Sequence, residues 1–186
     1  NVDLGWQHGT GAFDAQHRGD PRYGEPDARY HKYSLTLSAL QPFQFWGESF
    51  SFDSLLNAQK SEDVLYSPQR ISLGGLASVR GFKEQSLTGD TGGYWRNQLR
   101  WRRPVGWEPL RPFLQEYGLA YAYDVGVIHG GRYNPDLRVR LSGHCVELSA
   151  RGEHLAASVT FAHSLERPDV LTERERPVYF RVDLFF

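Results

Sequence analysis

The residues with the most to do chemically are a carboxylate and a guanidinium, Asp124 and Arg80. The chemistry they offer is recognition rather than bond-making. Asp124 lies within an alternating segment at 112–128. Phe113, Tyr117, Leu119, Tyr121, Tyr123, Val125 and Val127 mark one face, while Glu116, Gly118, Ala120, Ala122, Asp124 and Gly126 mark the other. In a strand successive side chains point to opposite faces, so the aromatic face suits lipid and the small-residue face leaves space. A mid-strand carboxylate is costly against lipid and should turn inward to meet a cation. Arg80 suits that role because its planar fork grips a carboxylate with two parallel bonds, and the next residue, Gly81, allows a tight turn. Each residue also has an ordinary reading, as a loop arginine at the surface and as a strand-end aspartate.

A second polar set runs along 92–103, where Arg96, Gln98, Arg100 and Arg102 alternate with Trp95, Leu99 and Trp101. This is a basic stripe along an inner wall, past which an extended polypeptide could slide. The plainer alternative is that it pairs with inward carboxylates such as Glu116 and Asp53. No catalytic constellation is visible. The histidines (8, 17, 31, 129, 144, 154 and 163) are scattered with no i, i+4 pair, and neither a G-x-S-x-G elbow nor a phosphate-binding glycine loop occurs. Gly74-Gly75 and Gly92-Gly93 read as points of bending. The single cysteine, Cys145, makes no intrachain disulfide and reads as a small buried filler. The expectation is therefore no enzyme, no cofactor and no metal. With 21 basic and 22 acidic residues there is no positive excess for nucleic acid.

The elements that must position these groups are strands. Period-two alternation recurs at 33–39, 50–53, 154–161 and 178–186, and helical periodicity is hard to find. About nine strands are expected, at 1–8, 29–40, 44–58, 67–76, 92–103, 112–128, 137–150, 153–165 and 177–186, close to the ~9–11 residues that cross a bilayer at a tilt. Short turns are expected at Gln41-Pro42, near Asn57–Lys60, at Val105-Gly106 and at Arg151-Gly152; long polar links are expected at 9–28, 77–91, 129–136 and 166–176. Short turns on one side and long loops on the other mark an outer-membrane barrel. The mean hydropathy of −0.54 is compatible with one, since only alternate residues meet lipid. An odd strand count leaves open edges, so more strands are expected before Asn1, whereas Phe186 reads as the aromatic end of a closing strand.

Residues 72–103 carry a resemblance. Val79-Arg80-Gly81-Phe82, followed by Gln85-Ser86-Leu87-Thr88-Gly89-Asp90 and Tyr94-Trp95-Arg96-Asn97-Gln98-Leu99, is similar to the two-partner secretion (TpsB) transporters, in the haemolysin, adhesin and contact-dependent-inhibition branch of the superfamily that includes the barrel-assembly insertase. The resemblance implies an all-β fold: the C-terminal portion of a transmembrane barrel of about sixteen strands when complete, with N-terminal strands and periplasmic POTRA domains outside this chain. It implies that the loop at 77–91 folds into the lumen. There Arg80 would contact an aspartate in an Asp-x-Gly strand, here Asp124-Val125-Gly126, with Ala122 where the family usually has an aromatic. It implies a Gram-negative outer-membrane location, contact with outer-membrane lipid, and export of a secreted TpsA-type exoprotein. The alternative is the insertase; an outer-membrane hydrolase lacks a nameable constellation.

Overall fold

The computed structural model describes residues 1–11, 25–111, 113–130 and 136–185. Ten strands are present among them: β1 (Val2–His8), β2 (His31–Phe45), β3 (Glu48–Ser61), β4 (Ile71–Leu73), β5 (Leu87–Gly89), β6 (Thr91–Pro104), β7 (Glu116–His129), β8 (Arg138–Arg151), β9 (Leu155–Glu166) and β10 (Val178–Leu184). Eight form one antiparallel sheet in the order β1-β2-β3-β6-β7-β8-β9-β10, with every strand beside its neighbour in sequence except where β4 and β5 intervene. β4 and β5 pair only with each other. The fold is thus a single antiparallel wall, open at β1 and β10, with a hairpin hanging from the β3–β6 connection.

Alternation decides which face is which. Register puts Phe52 opposite Leu99, Leu56 opposite Trp95 and Trp95 opposite Val125, so one face is a continuous apolar and aromatic belt. Trp95, Leu99, Tyr121, Leu148, Phe161 and Phe180 are all exposed on it, as a lipid-facing surface requires. Its polar atoms are bonded locally: Trp95 Nε1 donates to Ser54 Oγ at 2.8 Å and Trp101 Nε1 to Glu48 Oε2 at 2.9 Å. The opposite face of β7 is buried at Gly118, Ala120, Ala122, Asp124, Gly126 and Ile128.

Three expectations need correction. Residues 67–76 are not a crossing strand: Ser67–Gln69 is a 3-10 turn and only Ile71–Leu73 is extended, in the separate hairpin. The main sheet therefore has eight strands rather than nine. Gln41 and Pro42 are not a turn; both lie in β2, and the turn is at Trp46-Gly47, between the paired residues Phe45 and Glu48. Both turn residues have positive φ, 51° and 77°, as a two-residue hairpin connection of the primed type requires. Pro42 is tolerated because Ser38 N donates toward β1, and the nitrogen four residues on points to that same edge rather than into the β3 ladder. Asn57–Lys60 likewise lie in β3, paired with Thr36–Tyr33. Phe186 and His17 lie outside the described residues.

Candidate functional site: an arginine-bearing loop inside the wall

The connection between β3 and β6 is tied down at its base before it turns inward. Asp90 Oδ1 accepts from Leu65 N at 2.9 Å and from Arg70 Nε at 3.1 Å, while Lys32 Nζ and Gln59 Nε2 both donate to the Gln69 carbonyl. Gly74 and Gly75, with φ of 118° and 85°, make the sharp change of direction after β4 that a side chain would resist. The Ser78 hydroxyl closes this turn against Gly74 N and O.

Inside the wall the loop builds its own core. Leu73, Val79 and Phe82 pack with Ile128 of β7, Leu141 of β8 and Leu171 of the β9–β10 link, and Leu73, Val79, Phe82 and Leu141 are wholly buried. Gly126 makes the room: a Cβ there would meet Leu73 side-chain atoms at 2.9 Å and Val79 Cγ2 at 3.1 Å. Gly81 also serves close approach rather than a left-handed turn. Its φ is not positive, and a Cβ would meet the His163 carbonyl oxygen at 2.7 Å and Ser164 Cα at 2.9 Å. Gly143 faces it on β8, where a Cβ would sit 3.0 Å from Gly81 N and Cα. The β8–β9 register shifts between Ser142 and Gly143, a bulge of the kind that re-aims a strand beside a site.

Arg80 and Asp124 meet at the centre. Arg80 is 3% exposed and Asp124 fully buried. Arg80 Nε donates to Asp124 Oδ2 and Nη2 to Oδ1, both at 2.7 Å, and the Arg80 backbone N donates to Oδ2 at 3.1 Å. The remaining guanidinium nitrogen, Nη1, donates to Gln98 Oε1. This parallel-fork geometry with the leftover donor satisfied is what a buried ion pair needs for its attraction to offset desolvation. Arg96 stands behind, with Nε 3.9 Å from Asp124 Oδ1 and Nη1 donating to the Ala77 carbonyl at 3.0 Å. Ala122, Cys145 and Ala162 form a small-residue floor under the pair, with Tyr179 packed against them.

The site residues expected from sequence divide accordingly. Val79, Arg80, Gly81, Phe82, Asp124 and Gly126 come together in one buried cluster, and Arg96 and Gln98 touch it. Arg100 stands apart, 3.5 Å from Glu147 Oε1. Arg102 is exposed toward the short-turn end, opposite Ser49. Glu116, opposite Pro104 and Arg151, and Asp53, opposite Gln98, are in none of the described ion pairs with the stripe; Asp124 and Glu147 are its partners instead. The histidines form no group of three potential metal ligands with Cys, Asp or Glu among the described residues.

Three participants were not singled out from sequence. Tyr179 Oη donates to the Arg80 and Phe82 carbonyls at 3.1 and 3.3 Å, bringing an aromatic from β10 over the place where Ala122 leaves space. Gly143 gives no local signal. Glu175, in the β9–β10 link, binds the loop backbone directly.

A β-wall with an apolar, exposed belt on one face and, on the other, a long inward loop held by a buried arginine–aspartate pair is the architecture of part of a transmembrane β-barrel. The chain belongs to the family described as "Haemolysin secretion/activation protein ShlB/FhaC/HecB", which matches residues 1–150. It is similar to the outer membrane transporter CdiB of Escherichia coli O6:K15:H31 (strain 536 / UPEC), 32% identical over 176 residues, covering 94% of this chain and 28% of the relative. CdiB of Dickeya dadantii (strain 3937) is 30% identical over 167 residues, covering 90% of this chain and 28% of the relative. The solved structure of CdiB from Escherichia coli superposes with a TM-score of 0.84 at 30% identity, covering 98% of this chain and 33% of that one. The chain thus spans under a third of the length of these curated relatives.

Proposed function

We propose that this chain is part of the barrel of a Gram-negative outer-membrane transporter that passes a secreted partner protein, a TpsA-type exoprotein, across the membrane by two-partner secretion. In this reading the loop at 77–91 is a movable element latched in the lumen by Arg80 on Asp124, and the partner passes along the wall lined by Arg96, Gln98 and Arg100. Further strands, and the periplasmic POTRA domains that recognise the partner, belong to the rest of the protein. The chain is not a catalyst, and no cofactor enters the proposal.

The observation that carries it is the burial of the whole Val79–Phe82 segment against a lipid-facing wall, with both charges of the Arg80–Asp124 pair removed from water. The test is Arg80→Ala in the full-length protein. Expected is a loss of partner from the culture medium while the barrel still assembles, judged by heat-modifiable migration; normal export by an assembled variant overturns the role of the latch. Depletion separates the transporter from the insertase of the same superfamily. Loss of one secreted protein supports transport, and a general loss of outer-membrane proteins supports insertion.

A further inference from the structure

Beyond the arginine, the loop tip turns three consecutive backbone N–H groups toward one point. Lys83 N and Glu84 N donate to Glu175 Oε2 at 2.5 and 3.0 Å, and Gln85 N donates to Glu175 Oε1 at 2.9 Å. Successive N–H groups aimed at one spot form a concavity that binds anions. Its occupant here comes from the same chain, from the link between β9 and β10.

Glu175 is itself held in place. Its N donates to Ser164 Oγ at 3.0 Å, and its carbonyl accepts from Ser164 N at 3.1 Å; Ser164 is almost fully buried on β9. Gln85 Nε2 adds a bond to the Glu173 carbonyl at 3.1 Å. The contact uses only backbone atoms of residues 83 and 84, whose side chains are exposed. It is also separate from the arginine's contact: Arg80 reaches Asp124 on β7 and Gln98 on β6, whereas Glu175 reaches out from the β9–β10 link.

We propose that Glu175 is a second, separately releasable fastening of the inward loop, a positioning residue that holds segment 83–85 through its backbone while Arg80 holds segment 79–82 through its side chain. This deepens the reading of the loop as a latched element of the lumen and rests on that reading. Freeing the loop then takes two events on two different parts of the wall. Because the nest reads charge and not sequence, the side chains of Lys83 and Glu84 are free to vary.

The test is amide hydrogen exchange on the purified full-length protein in detergent, comparing the native chain with Glu175→Gln, Glu84→Pro and Arg80→Ala. Hydrogen bonds to a charged group are strong enough that losing them should raise exchange at 83–85 by about tenfold or more. Glu175→Gln, which is isosteric, should do this while 79–82 stay protected. Glu84→Pro removes one of the three donors and should raise exchange at 83 and 85, and a Lys83→Ala control should change nothing. Arg80→Ala should do the reverse, raising exchange mainly at 79–82. Unchanged protection at 83–85 in Glu175→Gln overturns the proposal, and so does equal opening of both segments, which would make the loop one unit. Normal secretion by Arg80→Ala would sink the transport role of the latch yet leave this exchange pattern to stand or fall by itself.

Discussion

Cutting the arginine–aspartate pair from its two sides should have unequal cost. Removing one member of a buried pair typically costs about 3–5 kcal/mol, because the other is left charged and unpaired. If Arg80 is replaced by Ala, Asp124 keeps the backbone N–H of residue 80 at 3.1 Å, and Arg96 Nε, 3.9 Å away and without a hydrogen-bond partner of its own, can move in. The cost should then sit near the bottom of that range, about 3 kcal/mol, or about a hundredfold in the population of the released loop. If Asp124 is replaced by Ala, Arg80 loses both fork bonds and its backbone N–H loses its acceptor, which leaves its guanidinium with Gln98 among the described residues. Arg96 then adds repulsion instead of relief, so the cost should approach about 5 kcal/mol, more than a thousandfold. The double variant removes both charges and should cost less than the two single changes added together. The assay is the exchange rate of the amides at 79–82 in the assembled full-length barrel, converted to an opening free energy for each corner of the cycle. Equal single costs, single costs below about 1 kcal/mol, or strict additivity within about 0.5 kcal/mol would refute the reasoning.

Steric and pH changes give three more outcomes. Gly81→Ala and Gly143→Ala each force a Cβ against backbone and should weaken loop closure by about 1–3 kcal/mol. Gly126→Ala, which meets only the movable side chains of Leu73 and Val79 within 3.1 Å, should cost less, and Gly106→Ala, with nothing within 4 Å, should be silent; the same exchange assay ranks them. Tyr179→Phe removes the donor to the Arg80 and Phe82 carbonyls and should raise exchange across the motif by an amount corresponding to about 0.5–1.5 kcal/mol, with barrel assembly unchanged. Burial works against the charged form of Glu175, but the N–H groups of Glu84, Lys83 and Gln85 outweigh it and hold its pKa below the ordinary value. A group lowered on folding contributes stability that is full above its unfolded pKa and is lost as pH falls through the folded one. Protection at 83–85, corrected for intrinsic rates, should therefore be flat from neutral pH down to about pH 5 and fall only below about pH 4, and Glu175→Gln should abolish that dependence.

Strands and faces were legible because lipid on one side and a filled lumen on the other impose a strict period of two. Strands β6 to β10 lie within a few residues of the expected ranges. The same rule misled at 67–76. Ile71 and Leu73 are buried while Ser72 is exposed, since a hairpin pressed on the inner wall alternates just as a strand facing lipid does, and three residues cannot reveal that they stop short of a crossing. Pro42 read as a turn because its missing donor is visible in sequence, whereas the edge to which its nitrogen points is not. Asp124 could be read as an inward carboxylate in need of a cation because it sits mid-strand on a small-residue face, whereas the choice of Arg80 as that cation was implied by the resemblance carried by residues 72–103. Tyr179 and Glu175 could not be read in this way, since their partners are main-chain groups 90 to 99 residues away, and a carbonyl or N–H leaves no trace in residue type.

A latch made of charge differs from one made of hydrocarbon in what it costs to open. Val79, Phe82 and Leu73 favour the buried site by leaving water, and a release that returned them to water would lose that gain, about 1.5–3 kcal/mol for each large side chain. Arg80 and Asp124 surrender hydration to pair and, if the loop is released as proposed, would recover it, so the pair would contribute little net stability while making a misplaced loop expensive. A barrel holding its loop by apolar packing alone would close more tightly and in more registers. On the proposed reading of the loop as a latched element, the ion pair would single out one closed position, and the margin holding it would be set by a few packed side chains and the carboxylate at the tip. Replacing both charges by well-packed Met and Leu should for that reason give a loop that closes at least as firmly, by the exchange measure, and a transporter that exports less; a double variant with a looser loop would contradict this assignment of specificity to the charges and stability to the packing.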